Sequence, residues 1–283
     1  MRKEGTKNYY YLETEGNQWQ QLASLSTDLV ELIQNLNEGK VNKVLVILTN
    51  VAHYETSSEQ TGLWLAEEAT DFVAKVQAAG FQVDYASAKG GAVPLNPRSL
   101  KKIYRSQEVD AIYQSNDFQM RALRASLPIA KVNPKDYRGI YFTGGHGVLW
   151  DFPNNADFEA ATRQIYQQDG YVMSVCHGLV GLIFQRDAKG QPLIAGKKVT
   201  GFTSTEEVLS GKSFKVPFMT ERAAKKAGAH FSQRLPFTSY AVQDGRLITG
   251  QNPMSGHKVA QLFLESVGKK WKQRISPTMV RNN

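Results

Sequence analysis

Apolar runs without polar alternation recur along the chain and mark buried strands. Lys43 to Thr49 (KVLVILT) is the first, followed by Gly139 to Thr143 (GIYFT) and Tyr171 to Val175 (YVMSV); Phe81 to Ala86, interrupted by Gln82 and Asp84, is read as the strand after the first. Continuous β-branched runs of this kind belong to a parallel sheet covered on both faces. Helical spacing of apolar residues appears between and around them. Leu22, Leu25, Leu29, Leu32, Ile33 and Leu36 predict a helix before the first strand. A second helix is predicted from Thr61 to about Ala79, where Gly80 is a natural stop. Others are predicted from Ala156 to about Gln168, over Ala223 to Ala227, and from His257 to Val267. Val199 to Phe202 begins a short strand, and Tyr240 to Thr249 reads as a hairpin around Asp244-Gly245. Strands alternating with helices make an α/β fold with right-handed crossovers.

Residues 88–135 and 203–235 are turn-rich and read as insertions on one sheet, with short helices in SQEVDAIYQSNDFQMRALRASL. No linker is long enough to divide the chain. The expected organisation is an N-terminal extension with one helix (1–41), an α/β domain (42–268) and a basic C-terminal tail (269–283).

Charge changes this picture little. The net charge is +8, but Lys269, Lys270, Lys272, Arg274 and Arg281 lie in the tail with no acid among them. The excess therefore sits on an end segment and not on an aromatic-laced face, and nucleic acid is not an expected partner. No apolar run approaches the roughly 20 residues that span a bilayer, so no membrane is expected either. The N-terminus has charge but no apolar h-region, which shows no signal peptide. A single cysteine excludes an internal disulfide and suits a reducing compartment. A cytoplasmic protein is expected; a signal removed before residue 1 is left open.

That single cysteine stands at the most informative place in the chain. Tyr171 to Val175 leads directly into Cys176-His177-Gly178, and an apolar stretch from Leu179 to Ile183 begins a helix. A buried strand turning sharply into a helix, with small residues flanking a nucleophile, is the pattern of a nucleophile elbow. A helix N-terminus there favours the thiolate. Free N–H groups of the first turn can hold an oxyanion. Gly144-Gly145-His146-Gly147 follows the third strand, so Gly145 and His146 come to the same sheet edge, where ligands bind in open α/β sheets. The five histidines show no metal-ligand spacing such as His-x-x-x-His. No metal is expected, and a site assembled from distant loops is left open.

Five stretches together resemble the ThiJ/PfpI superfamily, of the class I glutamine amidotransferase-like fold, in the branch of heat-shock chaperone and glyoxalase III proteins. They are Thr61-Gly62-Leu63-Trp64-Leu65-Ala66-Glu67, Gly144-Gly145-His146-Gly147, Val175-Cys176-His177-Gly178, Val199-Thr200-Gly201-Phe202 with Glu206-Glu207, and Asp244 to Pro253. They occur in family order across roughly residues 42–268. The resemblance implies a flavodoxin-like three-layer sandwich with a mostly parallel central sheet. It implies Cys176 as nucleophile, His177 as the histidine beside it, Glu67 as the acid at the sulfur and Glu207 as the partner of the histidine. Glu206 competes with Glu207 for that last role. Gly145, His146 and Gly178 would line the oxyanion pocket, with the N–H groups of Gly145 and His177 as donors. Leu179 departs from the branch, which commonly has proline there.

The activity implied is that of a glutathione-independent glyoxalase, turning 2-oxoaldehydes such as methylglyoxal into 2-hydroxy acids without a metal or organic cofactor. The alternative is a holding chaperone or deglycase-type stress protein with a redox-sensitive cysteine. A cysteine peptidase is weakly supported. An amidotransferase of this fold takes a late His-x-Glu, whereas His230 is followed by Phe231-Ser232 and His257 by Lys258-Val259. The expected partners are a small 2-oxoaldehyde, unfolded protein clients in the chaperone reading, and a second copy in a homodimer.

Overall fold

A computed structural model of the chain describes residues 42–275 other than 56 and 188. The helix expected over Leu22 to Leu36 lies outside the described residues.

The apolar runs form the sheet. Its strands are β1 (Lys43–Leu48), β2 (Gln82–Ser87), β3 (Leu127–Pro128), β4 (Gly139–Phe142), β5 (Tyr171–Val175), and, after a separate parallel pair of β6 (Lys198–Val199) and β7 (His230–Phe231), β8 (Ala241–Asp244) and β9 (Leu247–Gly250). The seven-stranded order is β3-β2-β1-β4-β5-β9-β8. Six of these strands run parallel, and β8 pairs antiparallel with β9 through the Asp244-Gly245 turn.

The absence of alternation in β1 has a direct cause. Val44, Val46 and Leu48 enter one apolar layer, while Leu45 and Ile47 enter the other. Side chains alternate along a strand, so a strand covered on both faces must be apolar throughout. On the first face lie α1 (Thr70–Ala78) and the last helix (Gly256–Ile275), with Phe72, Val73 and Phe263 in the core; on the second lies Ala156–Gln167, with Phe158 and Ile165. This is the three-layer arrangement expected.

Two boundaries differ from the sequence reading. The helix expected from Thr61 begins later, with a π-turn over Leu65–Ala69, in which the Thr70 N–H reaches back to the Leu65 carbonyl. A second π-turn, Phe118–Arg124, lies in the insertion. The last helix runs to Ile275, so the basic tail begins as a continuation of it. Among the described residues, no helix is long and apolar enough to cross a membrane.

Candidate active site

Cys176 leaves β5 at φ +57, a left-handed conformation that non-glycine residues adopt at a cost of about 1–3 kcal/mol. A single 3₁₀ turn, Cys176–Leu179, follows and feeds a short helix, Val180–Ile183. Gly178 is required here because a Cβ on it would lie 2.3 Å from the Phe142 carbonyl oxygen of β4. The Cys176 carbonyl accepts the Phe202 N–H at 3.2 Å, which ties the Val199–Phe202 stretch behind the elbow. The sulfur that results is 2% exposed.

His177 Nδ1 lies 3.4 Å from Cys176 Sγ, and its Nε2 lies 2.8 Å from Glu207 Oε2. His146 Nε2 meets the other oxygen, Glu207 Oε1, at 2.9 Å. The two imidazole centroids are 4.4 Å apart. Ser210 Oγ donates to the same carboxylate at 3.2 Å. Burial alone would push Glu207 up, but the facing imidazoles outweigh it and hold the carboxyl well below its usual range. An ionised carboxylate only accepts, so each imidazole must carry its proton on Nε2. Nδ1 of His177 therefore presents a lone pair to the thiol. Burial, with the neighbouring His177, lowers His146 to about 4, which keeps it neutral.

The neighbouring acid has different work. Glu206 closes a capping box with Thr203 at the start of Ser204–Ser210. Its carboxylate also accepts from Phe237 N–H (2.8 Å), Asn252 Nδ2 (2.8 Å) and Gln251 Nε2 (3.0 Å). Of the two candidates, the structure brings Glu207 to the histidine.

A second carboxylate, that of Glu68, lies on the other side of Cys176. Glu67, the acid expected there, has its side chain outside the described residues. Glu68 is fully buried and reaches the sulfur across Gly144, where a Cβ would lie 2.0 Å from Glu68 Oε2 and 2.8 Å from Cys176 Cβ. Gly144 is thus a site residue that the motif contained and the reading passed over in favour of Gly145. Gly145 itself turns the loop at φ +95 beside Gly62 and Trp64.

Burial pushes the Cys176 thiol well above its ordinary value, and the Glu68 charge adds to the shift, against a smaller opposing contribution from the His177 N–H.

Tyr54 packs on His146 (centroids 5.6 Å) and Trp150 (5.7 Å), and Phe202 packs on His177 (4.4 Å). Glu59 clasps Lys212 and Lys215 over Tyr54. Phe202 belongs to the Val199–Phe202 stretch; Tyr54, Glu59, Lys212 and Lys215 carried no recognisable signal in the sequence. His146, His177 and Glu207 also hold donor atoms within 4.8 Å of one another, close enough to be gathered by one ion. His257 is remote, facing Lys75 Nζ at 3.0 Å.

Comparison with known proteins agrees with this architecture. The chain is 33% identical to the glutathione-independent glyoxalase HSP31 of Saccharomyces cerevisiae, over 80% of this chain and 98% of that one. Among solved structures it is similar to the Rapid Encystment Protein 24 KDa of Francisella tularensis (TM-score 0.76, 34% identity, 80% of this chain and 99% of that one). It is also similar to glyoxalase III of Candida albicans (TM-score 0.70, 29% identity, 79% and 96%). The model of the DJ-1/PfpI family matches residues 42–266, and the chain belongs to that family.

Proposed function

We propose that the protein is a glutathione-independent glyoxalase that converts small 2-oxoaldehydes such as methylglyoxal to 2-hydroxy acids, with Cys176 as the nucleophile. The observation that carries this reading is one cysteine set between two different proton acceptors. The Glu68 carboxylate faces it across Gly144 on one side, and His177 Nδ1 lies 3.4 Å from the sulfur on the other. The reaction needs this arrangement, because it has two proton problems to solve: activation of the thiol, and transfer of a proton between adjacent carbons.

His177 takes the thiol proton while Glu207 fixes its tautomer and steadies the imidazolium, the general logic of a base oriented by an acid. The thiolate adds to the aldehyde carbon to give a hemithioacetal. Glu68 removes the hydrogen from that carbon, giving an enediolate, and returns a proton to the neighbouring carbon. The product is a thioester of a 2-hydroxy acid. Water cleaves it, restoring the thiol and releasing the hydroxy acid, so the net change is addition of one water. The burial of Cys176 supports a small aldehyde over a peptide chain, and the relatives named as glyoxalases support the same chemistry. The test is incubation of the purified protein with methylglyoxal in the absence of glutathione. Lactate is expected from the wild type and none above background from Cys176→Ala; equal lactate from both refutes the reading.

A holding-chaperone role is a second reading, favoured by one observation. Val208 and Leu209, on the outer face of Ser204–Ser210, are 61% and 62% exposed, and Phe214 is 98% exposed. Leu209→Ser with Phe214→Ser should abolish suppression of client aggregation in a light-scattering assay and leave lactate formation intact. Unchanged suppression would remove this reading.

A further inference from the structure

We propose that His146, His177 and Glu207 form a binding site for a divalent transition-metal ion of the zinc type, and that its occupation switches the thiol chemistry off. The three ligands come from three separate segments: the loop after β4, the elbow after β5, and the helix Ser204–Ser210. Both imidazoles turn Nε2 toward the same carboxylate, at 2.9 and 2.8 Å, and all three side chains are buried. Two imidazole nitrogens and one carboxylate suit zinc, cobalt or nickel and not the oxygen-seeking magnesium or calcium.

The fit requires little movement. Zinc binds imidazole nitrogen at about 2.0–2.1 Å and carboxylate oxygen at about 2.0–2.2 Å, which sets tetrahedral ligand edges at about 3.4 Å. The rings would back away from the carboxylate by roughly half an ångström relative to their hydrogen-bonded distances. The fourth position is left to water.

The protons balance without an acid or base. Each neutral imidazole carries one proton, now on Nε2. The ion takes the Nε2 lone pair, and that proton moves to Nδ1. On His177 this reverses the group that faces Cys176. A lone pair that would accept the thiol proton becomes an N–H that donates to sulfur, 3.4 Å away. Metal-bound histidines nearly always make such an outer contact, and His177 has one ready. His146 Nδ1 has no hydrogen-bond partner, so the outer shell is half complete and the affinity should fall below that of a structural zinc site. The sulfur is on the far side of the His177 ring from the ion, so it is not a ligand.

Binding does not rest on the glyoxalase reading; only loss of turnover does. The experiment titrates metal-free full-length protein with Co²⁺, following visible d–d absorption, and with Zn²⁺ against a chromophoric chelator. One ion per chain is expected, with d–d bands and no sulfur-to-cobalt charge-transfer band. Cys176→Ser should bind as the wild type does. His146→Asn, and His146→Gln as a second variant, should bind at least about a hundredfold more weakly, and Zn²⁺ should suppress lactate formation in the wild type at concentrations that leave the His146 variants unaffected. A charge-transfer band, loss of binding in Cys176→Ser, undiminished binding in the folded His146 variants, or no binding to the wild type up to about millimolar Co²⁺ would each overturn the proposal.

Discussion

Two buried glutamates flank Cys176, and their surroundings set them apart. Glu207 faces donors: two imidazole N–H groups and the Ser210 hydroxyl. Those donors hold it ionised despite burial. Glu68 faces the thiol itself, and its charge makes that thiol harder to ionise. In the proposed chemistry the same side chain is therefore a fixed anion on one side and a mobile proton acceptor on the other. Identity and burial are matched, so the difference lies in what each carboxylate accepts from. A group saturated with strong donors orients its neighbours; a group left against a thiol is available for proton transfer.

The largest effect expected from breaking the comparison is at Glu68. Glu68→Gln keeps the shape but removes the acceptor, and turnover of methylglyoxal should fall about a thousandfold, within the range of general-base loss. A fall under tenfold would return the proton transfer to His177. Glu207→Gln comes next. A neutral amide offers one oxygen to two imidazole donors, so the His177 tautomer is no longer fixed, and turnover should fall about a hundredfold. Unchanged lactate formation would show that the tautomer argument is wrong.

Glu206→Gln tests whether the adjacent acid is architectural. It accepts from backbone and amide groups that join three loops. Its loss should cost about 1.5–3 kcal/mol, read as a lowered Tm, with turnover changed less than in Glu207→Gln. Greater damage to turnover than to Tm would contradict that division.

Asp151 sharpens the comparison as a third case, accepting from Thr49 Oγ1 (2.9 Å) and Asn50 N–H (2.7 Å) with no imidazole beside it. Burial raises it to about 6, against those hydrogen bonds. The folded state thus keeps a proton that an unfolded carboxylate, with a pKa of about 3.9, has lost. Stability should fall as pH rises from about 4 to about 6, by on the order of 3 kcal/mol. Asp151→Asn should flatten that part of the Tm profile; an unchanged slope would assign it elsewhere.

Much of this was legible in the residues. β1, β4 and β5 were, because strands covered on both faces leave no room for polar alternation. The elbow was, because strand, small residues and the single cysteine are contiguous. Glu207 was half legible: two adjacent acids were visible, but only the loops that Glu206 ties together separate their roles. Which of the adjacent Glu67 and Glu68 faces the sulfur was not legible in the sequence. The Leu65–Ala69 turn is wound as a π-turn, and positions counted at the α-helical period slip in register through a wider turn. β3 is two residues long, too short for any periodicity.

The division of labour between Glu68 and Glu207 is tested most directly by the rate of Cys176 alkylation by iodoacetamide near neutral pH, in the wild type, Glu68→Gln and Glu207→Gln. Wild-type Cys176 should react more slowly than free cysteine, because burial and Glu68 hold it as a thiol. Removing the Glu68 charge should speed alkylation, about tenfold for each pKa unit recovered, even as turnover collapses. Removing the Glu207 charge should slow alkylation, because His177 becomes a weaker base. Opposite shifts would support two carboxylates doing opposed work; shifts in the same direction, or slower alkylation in Glu68→Gln, would contradict it.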